Sequence, residues 1–337
     1  MTIIRVGLDT SKHVFQIHGV DENEQAVLRR QVRRSEMTKF FAKLASTRIG
    51  LEACGASHYW ARVLRGLGHE AMLLPPQYIK PYVKRGKNDK IDAEAICEAM
   101  SRPSMRFVAV KTAEQQAALT MLGVRDLLVK QRTMLINAIR GHAAEFGLTV
   151  AKGPKQVNEL LQRLASEQGV PALAREMIGE LASQLPQLEA KLKVVEARLR
   201  TWHRQDQTSQ LLTTIPGIGP IGGVSLALKV PDPKVSRPSR HFAAWIGITP
   251  RENSAAGRQR LGKISRAGDE SLRQLLVLGA TAVIQQAIKK TSAAPWLREL
   301  LARKPKKVAA VALANKMARI AWAMMISGEL YRRPQAA

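Results

Sequence analysis

The first 75 residues constrain the fold more than any other stretch. Residues 3–9 (IIRVGLD), 13–20 and 26–32 read as three successive strands, with Lys12 and the Asp21-Glu22-Asn23 segment marking the turns between them. Helical spacing follows over 36–44, then a strand at 48–52, a helix at 59–67 and a strand at 70–74. The order is β-β-β-α-β-α-β-α. Three antiparallel strands followed by alternating helices and strands predict a mixed sheet with helices on its faces.

That element order is the one expected of a ribonuclease H-like domain, although several α/β folds share it. Beyond it the chain turns helical. Leu119, Leu122, Leu127, Met134, Leu135 and Ile139 recur at helical spacing within 113–146, and Leu181, Leu185, Leu188, Leu192 and Val195 do so within 172–202. Gly153-Pro154 lies between, so the two are expected to pair as an antiparallel hairpin or coiled coil, either a packed spacer or an arm for oligomerisation or RNA. The last third opens on Ile215-Pro-Gly-Ile-Gly-Pro220, runs through a Pro-rich loop at 231–238 and closes with helices at 270–289 and 308–330. The basic run 303–307 reads as a solvated loop. The expected class is therefore α/β plus all-α. Its expected divisions are 1–105 (mixed-sheet domain), 106–207 (helical spacer), 208–330 (mainly helical domain) and a tail at 331–337.

Lys and Arg number 53 against 27 Asp and Glu, a net charge of +26, which makes a polyanion the first partner to consider. Nucleic acid fits better than membrane. The longest apolar stretch, 308–326, is broken by Asn315, Lys316 and Arg319, and the start of the chain lacks the pattern of a secretory leader, so cytoplasmic residence is expected. An aromatic content of 4% argues against a base-stacking platform, and His58, Tyr59, Trp60 and Trp245 are expected in the core. Cys54 and Cys97 have no paired spacing and read as reduced, partly buried thiols.

The chemistry-bearing candidates are carboxylates. Asp9 and Glu52 end strands, while Asp89 and Asp92 lie three apart at the start of a helix, on one face. Brought together, such groups repel unless a divalent cation neutralises them, and hard oxygen ligands suit Mg2+ or Mn2+. Singly, each has a plainer reading: Asp9 capping the Thr10-Ser11 turn, Asn88 or Asp89 capping the helix. Lys12, Lys84, Arg85, Lys87 and Lys90 offer phosphate contacts beside them. Two further basic sites follow. Gly217 and Gly219 sit in a turn with the look of a helix-hairpin-helix, and Arg251, Arg258, Arg260, Lys263, Arg266 and Arg273 make a dense basic stretch around Ser254. By spacing alone Ser254 is a polar loop residue.

The segments GLDTSKHVFQIHGVD (7–21), GLEACGASHYWAR (50–62), KNDKIDAEAICEA (87–99), IPGIGP (215–220) and WIGITPRENSAAGRQRLGKISRAGDESLR (245–273) resemble, in order, the insertion sequence 110 transposases and their 1111 subgroup. The resemblance implies a RuvC-like form of the ribonuclease H fold whose four acidic residues, falling on Asp9, Glu52, Asp89 and Asp92, bind magnesium. It implies too that Ser254 attacks DNA to form a phosphoserine link, in a composite site with the metal. A bridge RNA as guide and a homo-oligomeric synaptic complex, dimer or tetramer, are further implications. One departure stands out: relatives usually carry a second Ser or Thr before the glycine, where this chain has Ala255-Ala256-Gly257. Two rivals remain from the residues alone, a junction nuclease using metal-activated water and a non-catalytic nucleic-acid-binding protein.

Overall fold

The computed structural model describes residues 2–84, 89–153, 156–236, 238–255, 257–290 and 294–332. It divides into two units, Met1–Gln116 with Pro231–Arg237, and Ala117–Val230 with Pro238–Ala337.

The first unit carries β1 (Arg5–Asp9), β2 (Val14–Val20), β3 (Ala26–Arg33), α1 (Met37–Phe41), β4 (Arg48–Glu52), α2 (Ser57–Gly66), β5 (Glu70–Leu74), α3 (Pro76–Ile79) and α4 (Asp89–Met100). Its five strands lie in the order β3-β2-β1-β4-β5. The β1–β2 and β2–β3 pairs are antiparallel, while β1–β4 and β4–β5 are parallel across helical crossovers. The mixed sheet expected from the sequence is therefore present.

Period-two alternation assigns each strand residue a face. Val6, Leu8, Ile49 and Leu51 pack with Met37 and Phe41 of α1 and with Trp60, Ala61 and Leu64 of α2. The opposite parity, Gly7 and Asp9 on β1 and Gly50 and Glu52 on β4, faces α4. Gly7 and Gly50 are partners in register. A Cβ on Gly7 would stand 2.1 Å from the Ala93 carbonyl oxygen, and one on Gly50 would stand 2.2 Å from the Met100 sulfur. The missing side chains let α4 lie directly on the sheet's main chain. Arg5 fastens it there by donating from Nε to the Cys97 carbonyl at 2.9 Å.

The second unit begins within α5 (Ala113–Ala144), continues through α6 (Gln156–Ser166) and α7 (Ala172–Gln205), and ends in a helical domain. Leu122 shares a cluster with Leu199, and Ile139 shares another with Ile178, so α5 and α7 run antiparallel as expected. Arg125 and Glu196 bridge them at 3.0 Å. The connection that carries Gly153 is more than a turn. It contains α6, whose Val157, Leu160 and Leu164 are buried against α5 and α7. Pro154 lies outside the described residues.

The C-terminal part comprises α8 (Gln207–Leu212), α9 (Pro220–Lys229), α10 (Ser239–Ile246), β6 (Pro250–Glu252), β7 (Leu261–Ile264), α11 (Glu270–Lys290), α12 (Pro295–Arg303) and α13 (Lys306–Ser327). One core joins Phe242, Ile246, Leu276, Ala280, Met317 and Ala321. By length and composition α13 could cross a membrane. Its Ala309, Ala310, Ala314, Met317, Ala318, Ala321 and Met324 are instead buried in this core. The run 303–307 is exposed, as expected, but only its middle is loop: Arg303 ends α12 and Lys306 starts α13.

Three burial expectations are corrected. Tyr59 is 50% exposed because its neighbour Trp60 takes the inward position on α2, and adjacent helical residues cannot share a face. Trp245 is 38% exposed and stacks on buried Phe242 one turn earlier. Cys54 is exposed in the loop after β4, whereas Cys97 is buried on the side of α4 that faces the sheet.

Candidate active site

Asp9 and Glu52 sit at the carboxyl ends of adjacent parallel strands, on the face that α4 covers. Asp89 and Asp92 occupy the first turn of α4, where the helix dipole favours negative charge. The glycine seat brings that turn to the strand ends. Carboxylate oxygens of Asp9, Asp89 and Asp92 lie within 4.8 Å of one another. Glu52 stands outside this trio.

Electrostatics describe the same cluster. Burial, followed by the charges of Asp92, Asp89 and Glu52, pushes Asp9 up to about 6. Burial and the charge of Asp92 likewise raise Glu52. The Thr10 backbone N–H opposes the shift on Asp9, which is the turn contact expected of a capping aspartate. Three hard oxygen donors whose mutual repulsion a cation would relieve suit a divalent metal. Cys54, the nearby sulfur, does not join the donor set. Partial desolvation of its sulfur and the charges of Glu52 and Asp9 raise its thiol.

The cations placed beside the carboxylates fare unevenly. Lys84 Nζ donates to Glu94 at 2.6 Å, so part of its charge is answered within the chain. Lys12 and Lys90 are exposed. Arg85 and Lys87, with Asn88, lie outside the described residues. His58 is not a competing base: its ring accepts the Lys111 N–H at 3.1 Å, and burial with the Lys111 and Arg62 charges lowers it to about 4.

Ser254 is exposed between β6 and β7. Its hydroxyl donates to Glu252 Oε1 at 2.9 Å and accepts the Arg260 N–H at 3.1 Å. Glu252 was not singled out from the sequence. The available signal was its two-residue separation from Ser254, which in extended chain puts both side chains on one side. Arg258, Arg260 and Lys263 are exposed on the same hairpin, and Arg251 donates to the Ser265 carbonyl at 3.1 Å. Arg266 is exposed with a left-handed φ of 56°. Arg273 is committed to structure, donating to the carbonyls of Ile246 at 2.9 Å and Ala267 at 3.1 Å.

The 215–220 turn joins α8 to α9. Gly217 has φ 90°, and its main chain abuts Gly279 of α11, where a Cβ would meet the Gly279 oxygen at 2.7 Å. Its lack of a side chain serves packing. Gly219, the residue before α9, has open space around it and remains the candidate for phosphate approach.

A five-stranded mixed sheet with acidic side chains at the ends of β1 and β4 and at the start of α4 is consistent with the RuvC-like DEDD class of DNA-acting domains. Comparison with known proteins narrows the class. Residues 6–147 match the DEDD transposase family of the IS110 type, and residues 209–296 match the family described as "Transposase IS116/IS110/IS902 family". The chain is 53% identical to the "Putative transposase y4pF/y4sB" of Sinorhizobium fredii, over 99% of this chain and 87% of that one. It is 48% identical to the "Probable family 20 transposase" of Pseudomonas aeruginosa, over 98% and 99% of the two chains. To the "Transposase for insertion sequence element IS1111A" of Coxiella burnetii it is 39% identical, over 97% and 91%. The chain belongs to the IS116/IS110/IS902 family of insertion-sequence transposases, DNA-cutting and rejoining enzymes.

Proposed function

We propose that the chain moves its own element by breaking and rejoining DNA phosphodiesters, with Mg2+ or Mn2+ held by Asp9, Asp89 and Asp92 and with Glu52 as the fourth ligand. The observation that carries this reading is the carboxylate trio within 4.8 Å at the sheet end. A divalent cation bound there would neutralise charge on a scissile phosphate and make its phosphorus a better electrophile.

Ser254 is the nucleophile in this reading. Its Oγ bonds to phosphorus, the deoxyribose oxygen of the cut strand leaves with the bonding pair and takes a proton from water to become a strand hydroxyl, and the serine proton passes to Glu252, whose Oε1 already accepts it. Attack by a strand hydroxyl on the phosphoserine reverses the step and rejoins DNA. Arg251, Arg258, Arg260, Lys263 and Arg266 supply phosphate attraction along the hairpin, as does the Gly219 end of α9.

Double-stranded DNA at element ends and target is one partner, and a non-coding guide RNA is the other. Family resemblance and the charge of +26 support the RNA, and base pairing would relieve the protein of reading sequence. The 106–207 segment serves as an arm between an N-terminal catalytic domain and a C-terminal domain carrying the serine. Leu127 and Met134, exposed on α5 two turns apart, favour association of arms into a dimer or tetramer. The site of action is the cytoplasm, on the bacterial chromosome.

A second reading, a nuclease using metal-activated water, is favoured by the same trio, because it needs no serine. Ser254→Ala separates them. The recombinase loses protein–DNA adducts on denaturing gels and loses strand exchange, whereas a nuclease continues to nick. Glu252→Gln should slow adduct formation by about 10²- to 10⁴-fold and leave duplex binding unchanged.

A further inference from the structure

A groove of about 1140 Å³ runs between the β6–β7 hairpin, Trp296 of α12 and the outer face of α13. On α13 its wall is a continuous stripe at helical spacing: Val308, Val311 and Ala312, then Asn315, Lys316 and Arg319, then Ile320 and Ala323. The opposite face of the helix is the buried alanine and methionine face. The stripe extends for about 22 Å at 1.5 Å per residue. Asn315 ties it to the root of the hairpin by donating to the Ile248 carbonyl at 3.3 Å.

Two properties coincide there. Lys263, Arg266, Lys307, Lys316 and Arg319 line the groove, and among the described residues no acidic side chain does. Its floor is nonetheless apolar, built from Ile248, Ile264, Val308, Val311, Ile320 and Trp296. The Lys316 ammonium stands 4.6 Å from the Trp296 ring centroid, which holds a cation at the wall.

We propose that this groove binds an unpaired DNA strand, the one continuous with the phosphate that the hairpin engages. The assignment of DNA rests on the Ser254 reading above, because the hairpin forming one wall carries that serine. A duplex hides its base faces and presents phosphates, so it gains nothing from an apolar floor. An unpaired strand offers both parts of the match, phosphates for the five cations and base faces for the apolar surface, a mainly aliphatic contact with Trp296 as its aromatic ring and so not the stacking platform that the 4% aromatic content argues against. A second copy of the chain fits poorly, since a self-paired face would bring five cations against the same five. A lipid surface fits poorly too, because Lys316 and Arg319 interrupt the apolar stripe.

The test uses the full chain, metal-free, at about 0.1 M salt, with fluorescein-labelled single strands of about 15 nucleotides and the corresponding duplex, read by fluorescence anisotropy. Lys316→Glu/Arg319→Glu should weaken single-strand DNA binding by about tenfold or more and duplex binding by less than about threefold. Val308→Ser/Val311→Ser should weaken the single strand selectively without altering charge, with unchanged circular dichroism melting as the folding control. Equal losses on duplex and single strand would overturn the proposal. So would tighter, equally groove-dependent binding of RNA of the same sequence, or a sedimentation mass that halves in the variants. Ser254→Ala should bind the single strand like the parent. If it binds normally yet still forms adducts once Mg2+ is added, only the nucleophile assignment fails; if adducts vanish but the groove variants bind normally, only the groove fails.

Discussion

In the metal-free protein Asp9 titrates at about 6, against 3.8 for an unperturbed aspartate, so between those values the folded state holds the proton more tightly than the unfolded chain. Its contribution to stability therefore falls as pH rises from about 4 to about 6 and stays unfavourable above. Allowing for solvent screening on its open side, the penalty at neutral pH is about 1–2 kcal/mol. Asp9→Asn should raise the denaturation midpoint of metal-free protein at neutral pH, with the difference vanishing near pH 4. Added Mg2+ should raise the parent midpoint and leave Asp9→Asn unmoved, with the transposition product lost. A midpoint that ignores both pH and Mg2+ would remove the metal assignment. The positions of Asp9, Asp89 and Asp92 at a strand end and a helix start were legible from periodicity, but their joint role came from family resemblance, and Glu52, also at a strand end, stands outside the trio. The partner of Ser254 was not, because β6 is a three-residue exposed strand with no apolar alternation to announce it.

The seating of α4 is the feature on which the cluster depends. Placing a methyl on Gly7 would drive it into the Ala93 carbonyl and the Cys97 nitrogen, both main chain, which no side-chain rotation relieves. Gly7→Ala should destabilise the protein by about 1–3 kcal/mol or more. Gly50→Ala meets the flexible Met100 side chain and should be the milder change. Isothermal titration should show weaker Mg2+ binding in Gly7→Ala than in Gly50→Ala; the reverse order would mean that α4 is held by other contacts. Elements without long periodic stretches were the hard ones to read. Val157, Leu160 and Leu164 do mark one helical face, but over only eleven residues, and α6 was not separated from the helical spacer expected over 106–207. Likewise Gly217 looked suited to phosphate, and only the packing of α11 shows that its space is taken by Gly279.

A charge of +26 spread over 337 residues makes DNA affinity a strong function of salt. If six to ten phosphates are contacted, affinity should drop by about 10³- to 10⁵-fold between 50 and 200 mM salt, measurable by anisotropy on duplex DNA. A shallow slope would mean that the basic surface is mostly solvated. Charge and element order were visible along the chain, whereas the groove on α13 was not, because its walls come from the hairpin ending near Arg266, from Trp296 and from α13, which are separate segments of the chain. The buried apolar residues, finally, fall into separate clusters on either side of the sheet and through the helical part. Helix α4 meets β1 through main chain at Gly7, so the placing of its first turn beside Asp9 depends little on the size of the side chains on the other face of the sheet, where Val6 and Ile49 lie. In a randomised library selected for transposition, core positions such as Val6 and Ile49 should accept many volume-conserving replacements, while position 7 stays glycine. Sequence drift in the interior and constancy of the chemistry are then compatible within one lineage.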